Sequence, residues 1–242
     1  MRVKLRALLT DQLVSHFAGQ SLGLFVDKKL MRKIRTFSRN KELVELRRTE
    51  IAMVAAEVFS RKGYGSATIR DISDRLQVSS ALIYYYIGKK SDIVALMVNV
   101  GERDWGGFFE KIEADLKKSS ATEVLCNTIT DYLVRNDKFR HWMRFWYSEI
   151  RHASPEIRKL ILDWNAKVVD SFEKILVEGY TRGEFSNYFA RSLSHMIVSY
   201  GESWALKPWL LRRHFTLEEY IEALIQITLK SLAVDEKAAK VG

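Results

Sequence analysis

Residues 51–97 carry the most informative pattern of this 242-residue chain and read IAMVAAEVFSRKGYGSATIRDISDRLQVSSALIYYYIGKKSDIVALM. Apolar residues at positions 51, 54, 55, 58 and 59 recur with the spacing of one helix face. Gly63 and Gly65 end this helix in our prediction, because glycine readily takes the left-handed conformation of a C-terminal cap. Thr68 and Asp71 have the spacing of a capping box, which predicts that a second helix begins there.

A tight turn is predicted after the second helix. Residues 77–79 form this turn, and Ser79 or Ser80 caps a third helix over residues 80–86. Gly88 is expected to close the third helix and Ser91 to open a fourth. Two short helices around a tight turn are typical of a helix-turn-helix, which places its second helix in the major groove of DNA. DNA binding is therefore the leading functional prediction.

The pattern T-I-R-D-I-S…V-S-S-A-L-I-Y-Y-Y-I-G-K-K-S-D-I resembles the DNA-binding domain of the tetracycline-repressor (TetR) family of transcriptional regulators. The resemblance implies an all-α homodimer. Each protomer would have an N-terminal three-helix helix-turn-helix domain and a C-terminal helical domain for effector binding and dimerisation. Carried over position by position, the resemblance implies contacts to double-stranded operator DNA from Thr68, Arg70, Ser79, Ser80, Ala81, Leu82, Tyr84, Tyr85, Tyr86 and Lys90.

Roles within this set differ. The resemblance places Thr68 and Arg70 near phosphates at the start of the second helix, and it matches Lys90 to a phosphate-binding lysine. Tyr85 matches a position that is more often aromatic packing, and packing is also the alternative for the other two tyrosines. The chain departs from the family at three positions, where Ala81, Ile87 and Ser91 replace its common glycine, phenylalanine and glutamate. These departures keep the helix-turn-helix but leave the operator sequence unpredicted.

Composition favours a helical protein and excludes several other classes. Two prolines and twelve glycines leave long uninterrupted helical segments, and the single Cys126 excludes an intrachain disulfide. We expect no metal site or other cofactor, since no Cys/His spacing suggests zinc, and no catalytic constellation that would indicate an enzyme. No apolar run approaches the ~18 residues of a membrane span, and we see no secretory signal. The expected location is the cytoplasm, at the nucleoid, without stable membrane association.

The positive charge is concentrated at the N-terminus. Residues 1–48 carry 12 Lys and Arg against 4 Asp and Glu, whereas the rest carry 27 against 26. We assign residues 1–41 to a basic extension, with Met31 as a plausible true start and an apolar helix pattern in residues 5–17 that suits a dimer or membrane-surface contact. The basic residues before the first predicted helix, up to Arg47 and Arg48, either follow phosphates and the minor groove or form a solvated tail.

Three further segments complete the predicted organisation. Residues 42–97 form the helix-turn-helix domain, residues 98–233 the ligand-binding and dimerisation domain, and residues 234–242 a flexible tail. Gly101, Gly106 and Gly107 interrupt the fourth helix, either as a hinge between the two domains or to permit close packing.

Large aromatic residues at helical spacing predict an effector cavity in the second domain. Such a cavity suits a small hydrophobic or aromatic effector, for instance a fatty or aromatic acid or its acyl-CoA. The residues assigned to it are Trp105, Phe109, Trp142, Phe145, Trp146, Glu149, Trp164 and Tyr200. The alternative for the same stripe is an ordinary helical core.

Two C-terminal helices are predicted to form the dimer interface as a four-helix bundle, although their periodicity also allows an internal core. The residues are Leu193, Ile197, Tyr200, Gly201, Tyr220, Ile221, Leu224, Ile225 and Thr228. A two-fold dimer predicts a palindromic operator. The sequence thus favours a repressor that an effector releases from DNA. The alternative is a DNA-binding activator or architectural protein whose second domain only dimerises or recruits a partner.

Overall fold

The computed structural model describes residues 41–149, 155–186 and 189–233, and within these ranges the chain is helical without a strand. The described part has ten helices: α1 Lys41–Lys62, α2 Ile69–Leu76, α3 Ser80–Tyr86, α4 Lys90–Asp115, α5 Ala121–Lys138, α6 Arg140–Glu149, α7 Pro155–Thr181, α8 Ala190–Leu206, α9 Pro208–Leu211 and α10 Leu217–Leu232. The predicted all-α fold is confirmed. The predictions for residues 1–40, including the start at Met31, and for the tail 234–242 lie outside the described residues.

Local capping forms the helix-turn-helix as the sequence predicts. The Thr68 hydroxyl accepts from the Asp71 amide at 3.1 Å, and the Asp71 carboxylate accepts from the Thr68 amide at 2.9 Å. Gly63 has a φ of +76° directly after α1, the left-handed conformation that glycine favours. Ser79 rather than Ser80 caps α3, because its side chain accepts from the Leu82 amide at 3.2 Å.

The start and the course of α4 differ from the prediction. The helix begins at Lys90 instead of Ser91, and the Asp92 carboxylate accepts the amides of Gly88 and Lys89 at 3.1 and 3.0 Å. It then continues without a break to Asp115, so its glycines do not interrupt it. At Gly101 a Cβ would lie 3.2 Å from the Trp142 ring, which favours close packing as the reason for that glycine.

The described residues form two hydrophobic cores, and α4 enters both. We call α1–α3 with α4 up to Val100 the head, and α4 from Trp105 onward with α5 and α7–α10 the body. Phe139, directly before α6, and Trp142 and Phe145 of α6 are buried in the head core. The Phe145 ring lies 5.5 Å from that of Phe59 on α1, so α6 returns the chain to the head.

The body core is built around a fully buried tyrosine. The Tyr132 ring of α5 lies 5.5 Å from Phe172 of α7 and 5.9 Å from Trp105 of α4. Its hydroxyl donates to the Val198 carbonyl of α8 at 3.2 Å. Tyr132 thereby joins four helices, and the missing side chain of Gly201 leaves room for its ring.

Two glycine substitutions test this packing. A Cβ at Gly201 would overlap Tyr132 Cε1, whereas a Cβ at Gly106 would meet no atom within 4 Å. Both positions are inside helices, where alanine is favoured over glycine by about 1 kcal/mol. Because overpacking costs about 1–3 kcal/mol, we expect G201A to lower the free energy of unfolding and G106A to raise it. Urea unfolding measures both, and equal stabilisation by the two substitutions would contradict the described position of Tyr132.

Candidate functional site

The outer face of α3 presents a small surface that could contact DNA. Ala81 is exposed, and the side chains of Leu82 and Tyr84 are 38% and 50% exposed. Ser79, which caps the helix, is exposed at its N-terminal end. The N-terminal residues of a recognition helix are the ones that contact base edges, so these side chains occupy the expected place.

The three consecutive tyrosines have different environments. Tyr86 is only 6% exposed and belongs to the head core. Tyr85 is half-buried, and its ring packs edge-on against Tyr86 at 5.1 Å. Packing therefore accounts for these two rings, and Tyr84 is the tyrosine that faces solvent. Ser80, another predicted contact residue, has its hydroxyl 2.9 Å from that of Ser73 and joins α3 to α2.

The beginning of α2 adds polar groups beside α3. Thr68 and Arg70 are exposed, and the Arg70 side chain has only a loose 3.8 Å ion pair with Asp74. Asp71 is held by a 2.5 Å ion pair with Lys62. The hydrogen bond from Lys62 and those from Thr68 lower the pKa of Asp71 to about 2, so the cap stays ionised near neutral pH.

Lys90 has a structural role that the sequence did not reveal. Its ammonium group donates to the carbonyl of Tyr64 and lies 3.4 Å from that of Gly65. It also lies 4.4 Å from the centre of the Tyr64 ring. These contacts hold the loop between α1 and α2, and the phosphate contact of Lys90 stays a prediction.

Two arginines that we grouped with the basic extension lie on α1, since that helix begins at Lys41. Arg47 pairs with Glu50 at 2.8 Å. The buried Arg48 donates from Nε to the Tyr86 carbonyl at 3.1 Å and so holds the end of α3, while burial lowers its pKa. Neither alternative predicted for the basic residues, contact with phosphates and the minor groove or a solvated tail, includes this contact with the end of α3.

The eight predicted effector residues fall into separate groups. Trp105, Phe109 and Trp164 form an aromatic cluster between α4 and α7, with Trp164 5.7 Å from Trp105 and 6.0 Å from Phe109. Tyr200 lies elsewhere in the body, stacked on Tyr220 at 4.6 Å. The α6 members Trp142, Phe145 and Trp146 pack in the head core, and Glu149, at the end of α6, is partly exposed.

Polar contacts link α6 to both domains. Ser60 Oγ of α1 lies 3.2 Å from His141 Nδ1, and the Tyr147 hydroxyl donates to the Glu202 carboxylate of α8 at 2.6 Å. Burial lowers the pKa of His141 and raises that of Glu202. Neither the His141 contact nor the Tyr147–Glu202 pair is predictable from the sequence, because contacts between distant helices leave no local pattern.

Most residues predicted for the dimer interface lie inside one protomer. Ile197, Gly201, Tyr220, Ile221, Leu224 and Thr228 are buried, while Leu193, Tyr200 and Ile225 are partly buried against the same core. These side chains therefore form an internal core, which is the alternative that their periodicity also allows. The outer faces of α8 and α10 instead expose Met196 and Ile227, at 65% and 57%.

In the described ranges, the helices are all too short or too polar to cross a membrane. Nor does this part of the chain bring together three His, Cys, Asp or Glu side chains that could hold a metal ion.

Comparison with known proteins agrees with the geometry of the helix-turn-helix. Residues 51–97 match the family model described as bacterial regulatory proteins, tetR family. The chain is 30% identical over 199 residues to the HTH-type transcriptional regulator HbdR of Aromatoleum sp. (strain CIB), which covers 81% of this chain and 85% of that relative. It is 26% identical over 141 residues to the HTH-type transcriptional repressor KstR2 of Rhodococcus jostii (strain RHA1), covering 57% of this chain and 68% of the relative.

Solved structures share the fold at lower identity. A tetR-family regulatory protein from Rhodococcus RHA1 has a TM-score of 0.62 and 23% identity, with 78% of this chain and 98% of that one covered. The regulator FadR of Bacillus subtilis, solved with stearoyl-CoA, has a TM-score of 0.57 and 21% identity, with 76% and 99% covered. Similarity to HbdR over most of both chains, together with the matched DNA-binding segment, shows that the chain belongs to the TetR family of transcriptional regulators.

Proposed function

We propose that this protein is a ligand-responsive repressor that binds a palindromic operator as a homodimer and is released by a small hydrophobic or aromatic molecule, such as a fatty or aromatic acid or its acyl-CoA. The observation that carries the proposal is the position of α6. This helix packs on the head through Phe145 and Phe59 and is hydrogen-bonded to the body through Tyr147 and Glu202. A ligand that favours another position of α6 would therefore also move the head.

The aromatic cluster of α4 and α7 supports a ligand with an apolar or aromatic part. Trp105 is buried, but Phe109 and Trp164 are partly exposed, so the cluster can be reached from solvent. The stearoyl-CoA bound to the FadR structure supports an acyl-CoA as one candidate. Coupling to DNA requires only that the ligand bind the two positions of α6 with different affinity.

The exposed apolar side chains of α8 and α10 support a dimer interface on their outer faces. The two helices run antiparallel, since Tyr220 near the start of α10 stacks on Tyr200 in the second half of α8, and the Ser186 amide before α8 donates to the Leu232 carbonyl at the end of α10. Met196 lies four residues before Tyr200, and Ile227 lies seven residues after Tyr220. Both are on exposed faces where a second copy could bury them. A two-fold axis would set the two α3 helices one DNA turn, about 34–36 Å, or a multiple apart.

Tyr84 and Tyr86 give a matched test of DNA contact. The probe is a duplex that the wild-type protein selects from a random-sequence library. We expect Y84A to weaken binding about tenfold or more, while its free energy of unfolding stays within about 0.5 kcal/mol. Y86A removes a buried ring and should instead lower the free energy of unfolding by about 3–5 kcal/mol. Unchanged DNA affinity of a folded Y84A protein would refute the assignment of α3 as the DNA-contacting helix.

The salt dependence of binding tests the phosphate contact of Lys90. If the lysine binds a phosphate, K90A should flatten the slope of log K against log salt by about one unit. If it only holds the loop at Tyr64, affinity falls and the slope stays the same. K111A, an exposed lysine on the body part of α4, is the control and should leave both affinity and slope unchanged.

The oligomeric state tests the proposed interface. Lysine at both Met196 and Ile227 places two charges in an apolar contact, and we expect M196K/I227K to sediment as a monomer at concentrations where the wild type is a dimer. L46K adds a lysine at an exposed leucine of the head and should remain a dimer. A dimeric double variant would place the interface elsewhere.

Operator affinity that no compound alters would favour the activator or architectural alternative.

A further inference from the structure

The C-terminal end of α3 is held by two charged side chains from other helices. Arg48 of α1 donates from Nε to the carbonyl of Tyr86, the last residue of α3, at 3.1 Å. Asp92 of α4 accepts the amides of Gly88 and Lys89, directly behind α3, at 3.1 and 3.0 Å. A cation thus binds the end of the helix, and an anion binds the turn that follows it.

The surroundings of Arg48 fit a role inside the head. The residue is only 9% exposed, and its guanidinium lies 3.9 Å from the Glu45 carboxylate. Burial lowers the pKa of Arg48, and the charges of Glu45 and Asp92 oppose that shift. A buried charge is costly unless it is paired and hydrogen-bonded. The last carbonyls of a helix lack partners within the helix and carry the negative end of its dipole, so a guanidinium there satisfies both needs.

The helix that Arg48 holds is too short to fix its own direction. Its seven residues span only about 10 Å, and isolated helices shorter than about 12 residues are marginal in water. Its start is tied to α2, because the Ser80 and Ser73 hydroxyls lie 2.9 Å apart. Its end is tied to the head core by the buried Tyr86 ring and to α1 by Arg48. The direction of α3 therefore depends on contacts at both of its ends.

A change in the direction of α3 would affect base contacts and phosphate contacts differently. Base contacts specify the DNA sequence, and we assign them to the exposed residues Ala81, Leu82 and Tyr84 of α3. Phosphate contacts position the protein without reading the sequence, and those assigned to Thr68 and Arg70 lie at the start of α2. A tilted α3 would therefore lose selectivity for the operator, while the general affinity for DNA would remain.

We propose that Arg48 is a positioning residue for operator recognition, which sets the direction of α3 through the Tyr86 carbonyl and does not itself bind DNA. The inference rests on the proposed assignment of α3 as the DNA-contacting helix. It differs from both roles that the sequence predicts for Arg48, a contact with phosphates and the minor groove or a place in a solvated tail. The three roles have different effects on operator affinity, on nonspecific affinity and on salt dependence.

The experiment measures the affinity of full-length variants for two duplexes. One is the operator duplex that the wild-type protein selects, and the other has the same length and base composition in scrambled order. R48M removes the charge and the N–H donors but keeps a long unbranched side chain. We expect R48M to lower the ratio of operator affinity to scrambled-duplex affinity about tenfold or more, while the scrambled-duplex affinity and the salt slopes stay the same.

Two further variants separate geometry from charge and from folding. R48K keeps the charge but replaces the planar guanidinium by a compact ammonium, so its ratio should lie between those of R48M and the wild type, about threefold below the latter. If R48M does not fold, R48K alone tests the proposal. R61M removes an exposed arginine at the other end of α1 and should leave the ratio and the slopes unchanged. Urea unfolding gives the folded fraction of each variant, to which all affinities are corrected.

The outcomes separate this inference from the proposed function. A wild-type ratio in every folded Arg48 variant, or a fall in both affinities by the same factor, would overturn the positioning role. A salt slope that flattens by about one unit in R48M would assign a phosphate contact to Arg48 and overturn the role as well. If the wild-type protein selects no duplex, or if Y84A binds its operator like the wild type, the assignment of α3 as the DNA-contacting helix fails, and the inference fails with it.

Discussion

The packing of α6 against α1 is the contact on which the arrangement of the two domains depends. The three helices α1–α3 and the start of α4 form too small a unit to bury a large core alone, since small domains bury a smaller fraction of their surface. Phe139, Trp142 and Phe145 supply the missing apolar surface from a helix that follows the body helix α5 in the chain. The stability and the orientation of the head are therefore both tied to α6.

Two connections of different kinds join head and body. The 26-residue α4 is a continuous rod about 39 Å long that is covalently part of both. The second connection is α6, which is held by side chains: the Phe145–Phe59 contact on the head side and the Tyr147–Glu202 hydrogen bond on the body side. A change at α6 would therefore reach the head through side-chain contacts, whereas α4 joins the two cores through its backbone.

The sequence predicted the helix caps and bounds, because these depend on residues that are close together in the chain. The Thr68 and Ser79 caps act within four residues, so the bounds of α2 and α3 follow from residue types and spacing. Helical periodicity also identified apolar faces correctly, but it does not say which helix covers each face. Periodicity therefore predicts a body position for Trp142, which completes the head core, and a dimer contact for Ile197, which is buried in its own protomer.

Which of the three tyrosines can contact DNA also depends on packing that the sequence pattern does not show. A run of three tyrosines suggests three DNA contacts, yet the helix turns by about 100° per residue, so neighbouring rings face different surroundings. Tyr84 faces solvent, whereas the Tyr86 ring anchors α3 in the head core. The Tyr86 carbonyl also accepts a hydrogen bond from Arg48. Because that anchor belongs to the core that Trp142 completes, a displacement of Trp142 would change the position of Tyr84 without any change to the DNA-binding surface itself.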